Sequence, residues 1–160
     1  MKSDFFNLLE HLVRADVDFV IVGGFAGIVY GCTYVTQDID ICCDFSTDNL
    51  LLLQKALSGV HPVHRHTPKR QKLELTRANC REYKNLYLDT DIGQLDCLSF
   101  IDGVGDYKKV KEGSRIIEVE DMRLRVLNFD ALIESKKAMN RPRDKEAVLQ
   151  LEAIKRLKKQ

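Results

Sequence analysis

The sequence predicts a mixed α/β fold in which helices pack on a mixed β-sheet. Two observations carry this reading. Hydrophobic residues recur first at helical and then at strand spacing, in the order α-β-α-β-α, followed by strands and then helices; that is the pattern of a layered sandwich rather than a bundle or barrel. The chain has 160 residues, 44% hydrophobic and 31% charged, which gives it the material for a core and fits one domain over 1–160. The longest apolar stretch, Phe19 to Tyr30, falls short of the roughly 20 residues of a membrane span. Met1-Lys2-Ser3-Asp4 opens without a basic-then-apolar leader, so a cytoplasmic protein with no membrane partner is expected.

Each element has its own local reason. Phe5, Leu8, Leu9, Leu12 and Val13 form one apolar stripe, which predicts a helix over 3–15 capped by Ser3. Phe19-Val20-Ile21-Val22 reads as a buried strand ended by Gly23-Gly24, and Phe25 to Gly31 as a short helix packed through small residues. Ile39, Ile41 and Cys43 alternate with Asp38, Asp40 and Cys42, the period of a strand. The leucine-rich run from Ser46 to Gly59 is a second buried helix. Candidate strands follow at Lys72–Thr76, Leu86–Thr90, Gln94–Phe100, Arg115–Val119 and Arg123–Val126. The C-terminal helices fall at about 129–158: Phe129–Met139, then Arg141–Lys158 with Pro142 in the first turn.

The five cysteines, Cys32, Cys42, Cys43, Cys80 and Cys97, are odd in number and lack CxxC spacing. They read as buried reduced thiols rather than a disulfide framework or zinc site. The net charge of +1 hides alternating blocks, with acidic residues in excess over 1–63 and 85–135 and basic ones over 64–84 and 136–160. An acidic pocket between basic surfaces suits a metal site that handles polyanions. The basic blocks read equally as solvated faces.

The block with chemistry is Phe19 to Gly31 followed by Thr36-Gln-Asp38-Ile-Asp40-Ile. A strand that ends in Gly23-Gly24 and enters a helix leaves backbone N–H groups unpaired, and the missing side chains let a phosphate approach. Asp38 and Asp40, two apart on a strand, put both carboxylates on one side about 7 Å apart at the backbone. Two like charges on one face are costly unless a cation bridges them, and hard oxygen ligands select Mg²⁺. Other phosphate motifs are absent: there is no GxxxxGK[ST], and GGxxG lacks the spacing of GxGxxG.

This block resembles the signature of the DNA polymerase β-like nucleotidyltransferase superfamily: a hydrophobic strand, Gly-Gly, a helix, then Asp-x-Asp. The resemblance is strongest over residues 17–44. It implies a nucleotidyltransferase-like fold and a third carboxylate on a later strand, and Gly93-Gln-Leu-Asp96 resembles that element, with Asp89 and Asp91 as competitors. It implies that Asp38, Asp40 and Asp96 are catalytic and hold two Mg²⁺ ions, with Asp96 as ligand and base for an acceptor hydroxyl. Gly23, Gly24 and Thr36 would contact the nucleotide. The run Ser135-Lys136 to Arg141-Pro-Arg-Asp144 is similar to a stretch of small bacterial relatives, including the abortive-infection toxin group. In that comparison Lys136 approaches the nucleotide phosphates and Arg141 and Asp144 support the site; otherwise Lys136 is a helix-surface lysine and Asp144 a cap. Relatives often carry a basic residue two positions before the Thr of Thr-x-Asp-x-Asp, where this chain has Tyr34.

The activity implied is Mg²⁺-dependent transfer of an NMP from an NTP, ATP in the first instance, to a hydroxyl of RNA or tRNA, a protein or a small molecule. His61, His64, Arg65, His66, Lys69 and Arg70, within and beside the basic segment 64–84, are the candidate RNA contacts. The alternative is a weak or inactive module of the same fold with a protein partner, in a toxin–antitoxin or nucleotide-sensing role. The acceptor, base preference and oligomeric state have no signal in the sequence.

Overall fold

The apolar run Phe19–Val22 is buried at every position and lies inside the sheet of a computed structural model that describes residues 4–158. The elements run α1 (Phe5–Arg14), β1 (Phe19–Val22), α2 (Gly23–Val29), β2 (Asp38–Cys43), α3 (Thr47–Leu57), β3 (Val63–His64), β4 (Asn85–Thr90), β5 (Gly93–Leu98), β6 (Phe100–Ile101), β7 (Gly105–Asp106), α4 (Tyr107–Glu112), β8 (Ser114–Val119), β9 (Met122–Leu127), α5 (Phe129–Met139) and α6 (Pro142–Lys158). Among the described residues seven strands form one mixed sheet in the order β3-β4-β5-β2-β1-β9-β8, while β6 and β7 pair apart from it. Among the described residues no helix is long and apolar enough to cross a membrane. All five cysteines are buried and unpaired.

Burial rather than propensity holds the helices. Leu8, Leu9 and Leu12 of α1 are fully buried, and each such side chain contributes roughly 1.5–3 kcal/mol. Asp4 caps that helix by accepting from the Asn7 N–H at 3.1 Å; the expected cap, Ser3, lies outside the described residues. Ser46 caps α3 by accepting from Asn49 N–H, and buried Asn49 in turn ties two strand ends together. Its side chain accepts from the Asp18 N–H (2.8 Å) and donates to the carbonyls of Asp18 (3.0 Å) and Asp44 (2.7 Å), so the entry to β1 and the exit of β2 share one clamp.

Three expectations are corrected. The helix expected from Phe25 begins at Gly23, so the glycine pair is its first turn and not a loop before it. Lys72–Thr76 is not a strand and makes only an isolated bridge, Lys72 to Val63. Leu73 and Leu75 are buried as a strand's would be, but the Gln54 side-chain amide of α3 pairs with the Leu75 backbone in place of a neighbouring strand. The strand expected at Gln94–Phe100 runs from Gly93 to Leu98. Short α4 was not anticipated; its six residues offer too few periods, and it depends on the Asp106 cap, which accepts from Lys109 N–H.

Sheet topology places the site. Strand β1 pairs antiparallel with β2, and β2 pairs parallel with β5 so that Asp40 stands opposite Asp96. The antiparallel pair β4–β5 then sets Tyr87 opposite Asp96. Tyr87, Asp96 and Asp40 therefore form one row across three strands, on a single face.

Candidate active site

On β2 the alternation of the sequence is realised: Ile39 and Ile41 are fully buried, and Asp38 and Asp40, one step out of phase, open into a cleft of about 390 Å³. Asp96 of β5 joins them there. One carboxylate oxygen from each of the three lies within 4.8 Å of the others, a set of hard ligands that fits Mg²⁺. The competitors lie elsewhere: Asp89 pairs with Arg65 and Arg70, and Asp91 with His61.

Without a cation this arrangement is electrostatically strained. Burial, followed by the charges of Asp38 and Asp96, pushes Asp40 up to about 7, although the Lys136 ammonium pulls the other way. Burial also raises Asp96, against the opposing pull of Arg65. Between about pH 4 and pH 7 the folded chain keeps a proton at Asp40 that the unfolded chain has released, so folding stability falls as pH rises through that window. In chelator, the urea midpoint is expected to drop between pH 5 and pH 8, by the equivalent of a few kcal/mol. Asp40→Asn should flatten most of that slope, and an unchanged slope in the variant would show that the strain lies elsewhere.

The glycine pair serves the aspartates. Gly23 has φ +67°, in the left-handed region, and any Cβ there would collide with the Asp40 carboxylate. Gly24 lines the cleft, where a Cβ would meet Thr36 Oγ1 at 3.2 Å. Thr36 donates to the Asp38 carbonyl at 3.0 Å and stands 3.3 Å from its carboxylate, so it holds the entry to β2. Tyr34 also lines the cleft, with its hydroxyl seated on Gly27 and its ring beside Gly24. A Cβ at Gly27 would press on Tyr34, 3.0 Å from Cζ. Gly27→Ala is therefore expected to destabilise: displacing the ring costs about 1–3 kcal/mol, against the ~1 kcal/mol that alanine gains over glycine in a helix. In a Tyr34→Ala background the same substitution should become neutral or stabilising; equal effects in both backgrounds, by urea unfolding, would rule out the contact.

The opposite wall comes from α5 and α6. Lys136 is buried, 6% exposed, and lines the cleft 3.7 Å from Asp144. Burial lowers the Lys136 pKa, while Asp144 and Asp40 resist that fall. Asp144 is fully buried and accepts from the Arg141 backbone N–H (3.1 Å), Nε (2.6 Å) and Nη2 (3.2 Å). Burial alone would raise its pKa, but the bonds and charge of Arg141 outweigh that and hold the carboxyl low. Lys136 is thus no surface lysine, and Asp144 anchors both cations.

The cleft also holds residues the sequence did not single out, among them Tyr87, Arg143 and Glu146. Tyr87 was accessible: the short turn between β4 and β5 pairs Thr90 with Gly93, and counting back reaches Tyr87 opposite Asp96. Arg65, expected on an RNA-facing surface, turns inward and pairs with Asp96. No local pattern links those two residues. His66 meets the Tyr87 ring edge-on at 5.1 Å, and His64 stacks on Tyr83 at 5.7 Å.

The chain has a nucleotidyltransferase-like fold, shared with solved nucleotidyltransferases. A lincosamide antibiotic adenylyltransferase, LnuA, lincomycin-bound, is similar over 96% of this chain and 99% of its own, at 13% identity and a TM-score of 0.62. ANT(2'')-Ia in complex with adenylyl-2''-tobramycin is similar over 94% and 91%, at 14% identity and 0.56. An antigenic nucleotidyltransferase-like protein from Paracoccidioides brasiliensis matches over 94% and 77%, at 13% and 0.56. At these identities the likeness is one of fold. No family model matches the sequence, and no curated protein matches it.

Proposed function

We propose that the protein transfers a nucleoside monophosphate from an NTP, ATP in the first instance, to a hydroxyl group of a small-molecule acceptor, with Mg²⁺ held by Asp38, Asp40 and Asp96. The convergence of those three carboxylates in one cleft with a buried lysine carries the reading. Mg²⁺ held there would supply positive charge to stabilise an in-line displacement at the phosphorus. Lys136, with Arg141 and Arg143 on the same wall, draws the triphosphate to the α5–α6 side. Gly24 leaves room for it beside Thr36. Asp96, beside Tyr87 in the same cleft, would accept the proton of the acceptor hydroxyl.

Two observations favour a small acceptor over RNA. The nearest cations of the basic segment are already committed, Arg65 to Asp96 and Arg70 to Asp89. The solved adenylyltransferases of this fold include one bound to lincomycin and one to an adenylylated tobramycin.

Thermal unfolding with each of four NTPs, with and without Mg²⁺, tests the site. A nucleotide at about 100 times its Kd should add roughly 2.7 kcal/mol, and only when Mg²⁺ is present. Pyrophosphate release is then measured against panels of hydroxylated small molecules and of RNA. A protein that no nucleotide stabilises counts against the proposal, and release stimulated by RNA alone would replace the acceptor.

A further inference from the structure

Among the described residues, Asp96 is the one carboxylate of the triad that has an ion-pair partner, and the partner is Arg65. Arg65 directly follows β3, the edge strand of the sheet next to β4. The Arg65 backbone N–H donates to the Tyr87 carbonyl at 2.8 Å, and its Nη1 donates to the Leu88 carbonyl at 3.0 Å. Its Nη2 bonds Asp96 Oδ1, and both side chains are only 14% exposed. The pair is held in place and largely shielded from water.

A second seat lies beside the first. Asp89 Oδ1 is buried, has no hydrogen-bond partner, and stands 3.7 Å from Arg65 Nη1. The other oxygen of Asp89 is bonded by Arg70. A buried carboxylate oxygen left unpaired is costly, and here a guanidinium rests within about 1 Å of satisfying it at ordinary charge-assisted length. The fork of the guanidinium spans both acidic groups, so moving its weight from Asp96 to Asp89 needs only a small side-chain shift.

Resting on the reading of the triad as a cation site, we propose that Arg65 is a positioning residue: the resident counter-ion of Asp96, which passes to Asp89 when a divalent cation takes the triad. In the cation-free protein Arg65 neutralises one of three mutually repelling carboxylates. An arriving cation competes for the Asp96 oxygen and repels the guanidinium, which completes the hydrogen bonding of Asp89. The Arg65–Asp96 pair thereby sets the affinity of the site for its cation.

Binding of Mn²⁺ alone, followed by the paramagnetic signal of the free ion, tests this without reference to turnover. Arg65→Gln should bind Mn²⁺ about tenfold tighter or more, since a hydrogen bond to a charged group is worth that much. Asp89→Asn should bind it more weakly than the parent chain, because Arg65 loses its second seat. In the Arg65→Gln background Asp89→Asn should change nothing. Effects that simply add would reflect long-range charge and overturn the transfer. Unchanged or weaker binding by Arg65→Gln overturns the proposal outright. If that variant fails to fold, Arg65→Lys keeps the charge without the fork and should show a smaller gain, with no gain counting against the idea. Absence of Mn²⁺ binding in every chain, the parent included, would remove the cation site and the inference with it. Binding that is present but indifferent to Arg65 removes the inference alone.

Discussion

Replacing Asp38 and Asp40 together with alanine is expected to lower pyrophosphate release by at least about 10³-fold, the scale of losing preorganised charge stabilisation in a closed site. The Mg²⁺-dependent nucleotide stabilisation should vanish with it. The stability of the cation-free chain should move the other way. Two of three carboxylates that sit within 4.8 Å of one another are gone, and with them the burial of charge and the repulsion that together push Asp40 up to about 7. The double variant should therefore be as stable as the parent in chelator, or more so, above pH 7. That pairing of lost activity with retained or gained stability separates a dismantled site from an unfolded chain. Retained release by a folded double variant would end the catalytic reading of these residues.

Asp144→Ala is expected to be the most damaging single change to stability, at about 3–5 kcal/mol, the cost of breaking a buried ion pair by removing one partner. Asp144 is fully buried and holds Arg141 through three hydrogen bonds, with Lys136 Nζ at 3.7 Å. Without it the Lys136 ammonium, buried on the cleft wall, loses its one ion-pair partner among the described residues. Asp144→Asn should cost less, because the amide oxygen can still accept from Arg141. The pH dependence carries an opposite sign to that of Asp40. The Asp144 pKa is held below its unfolded value, so its stabilisation is present above about pH 4 and lost as pH falls through the folded value. Urea unfolding at pH 7 measures the first effect. A cost below about 1 kcal/mol would place Asp144 among ordinary exposed pairs.

Most elements near the site were legible locally. The alternation Asp38-Ile39-Asp40-Ile41 and the apolar run before Gly23 state their own strand periods, and both strands lie where those periods put them. Lys72–Thr76 misled because its alternating Leu73 and Leu75 are a strand's pattern. What such a pattern reports is burial on one side, and here a glutamine amide supplies the backbone partner. The segment 64–84 shows a related limit of local reading. A count of basic residues is blind to direction, and Arg65, Arg70 and Arg77 pair with Asp96, Asp89 and Asp48.

The sequence by itself determined that two carboxylates share one face of a strand and that a glycine pair opens the helix before it. Side-chain alternation and backbone sterics are local properties, complete within a few residues. Only the tertiary structure decided which third carboxylate joins them, that Lys136 is buried against Asp144, and that Arg65 reaches Asp96 across 31 positions of sequence. Those outcomes depend on which strand edges meet and in what register. The burial of the whole core fixes that choice, through contacts between segments whose own residues carry no record of one another.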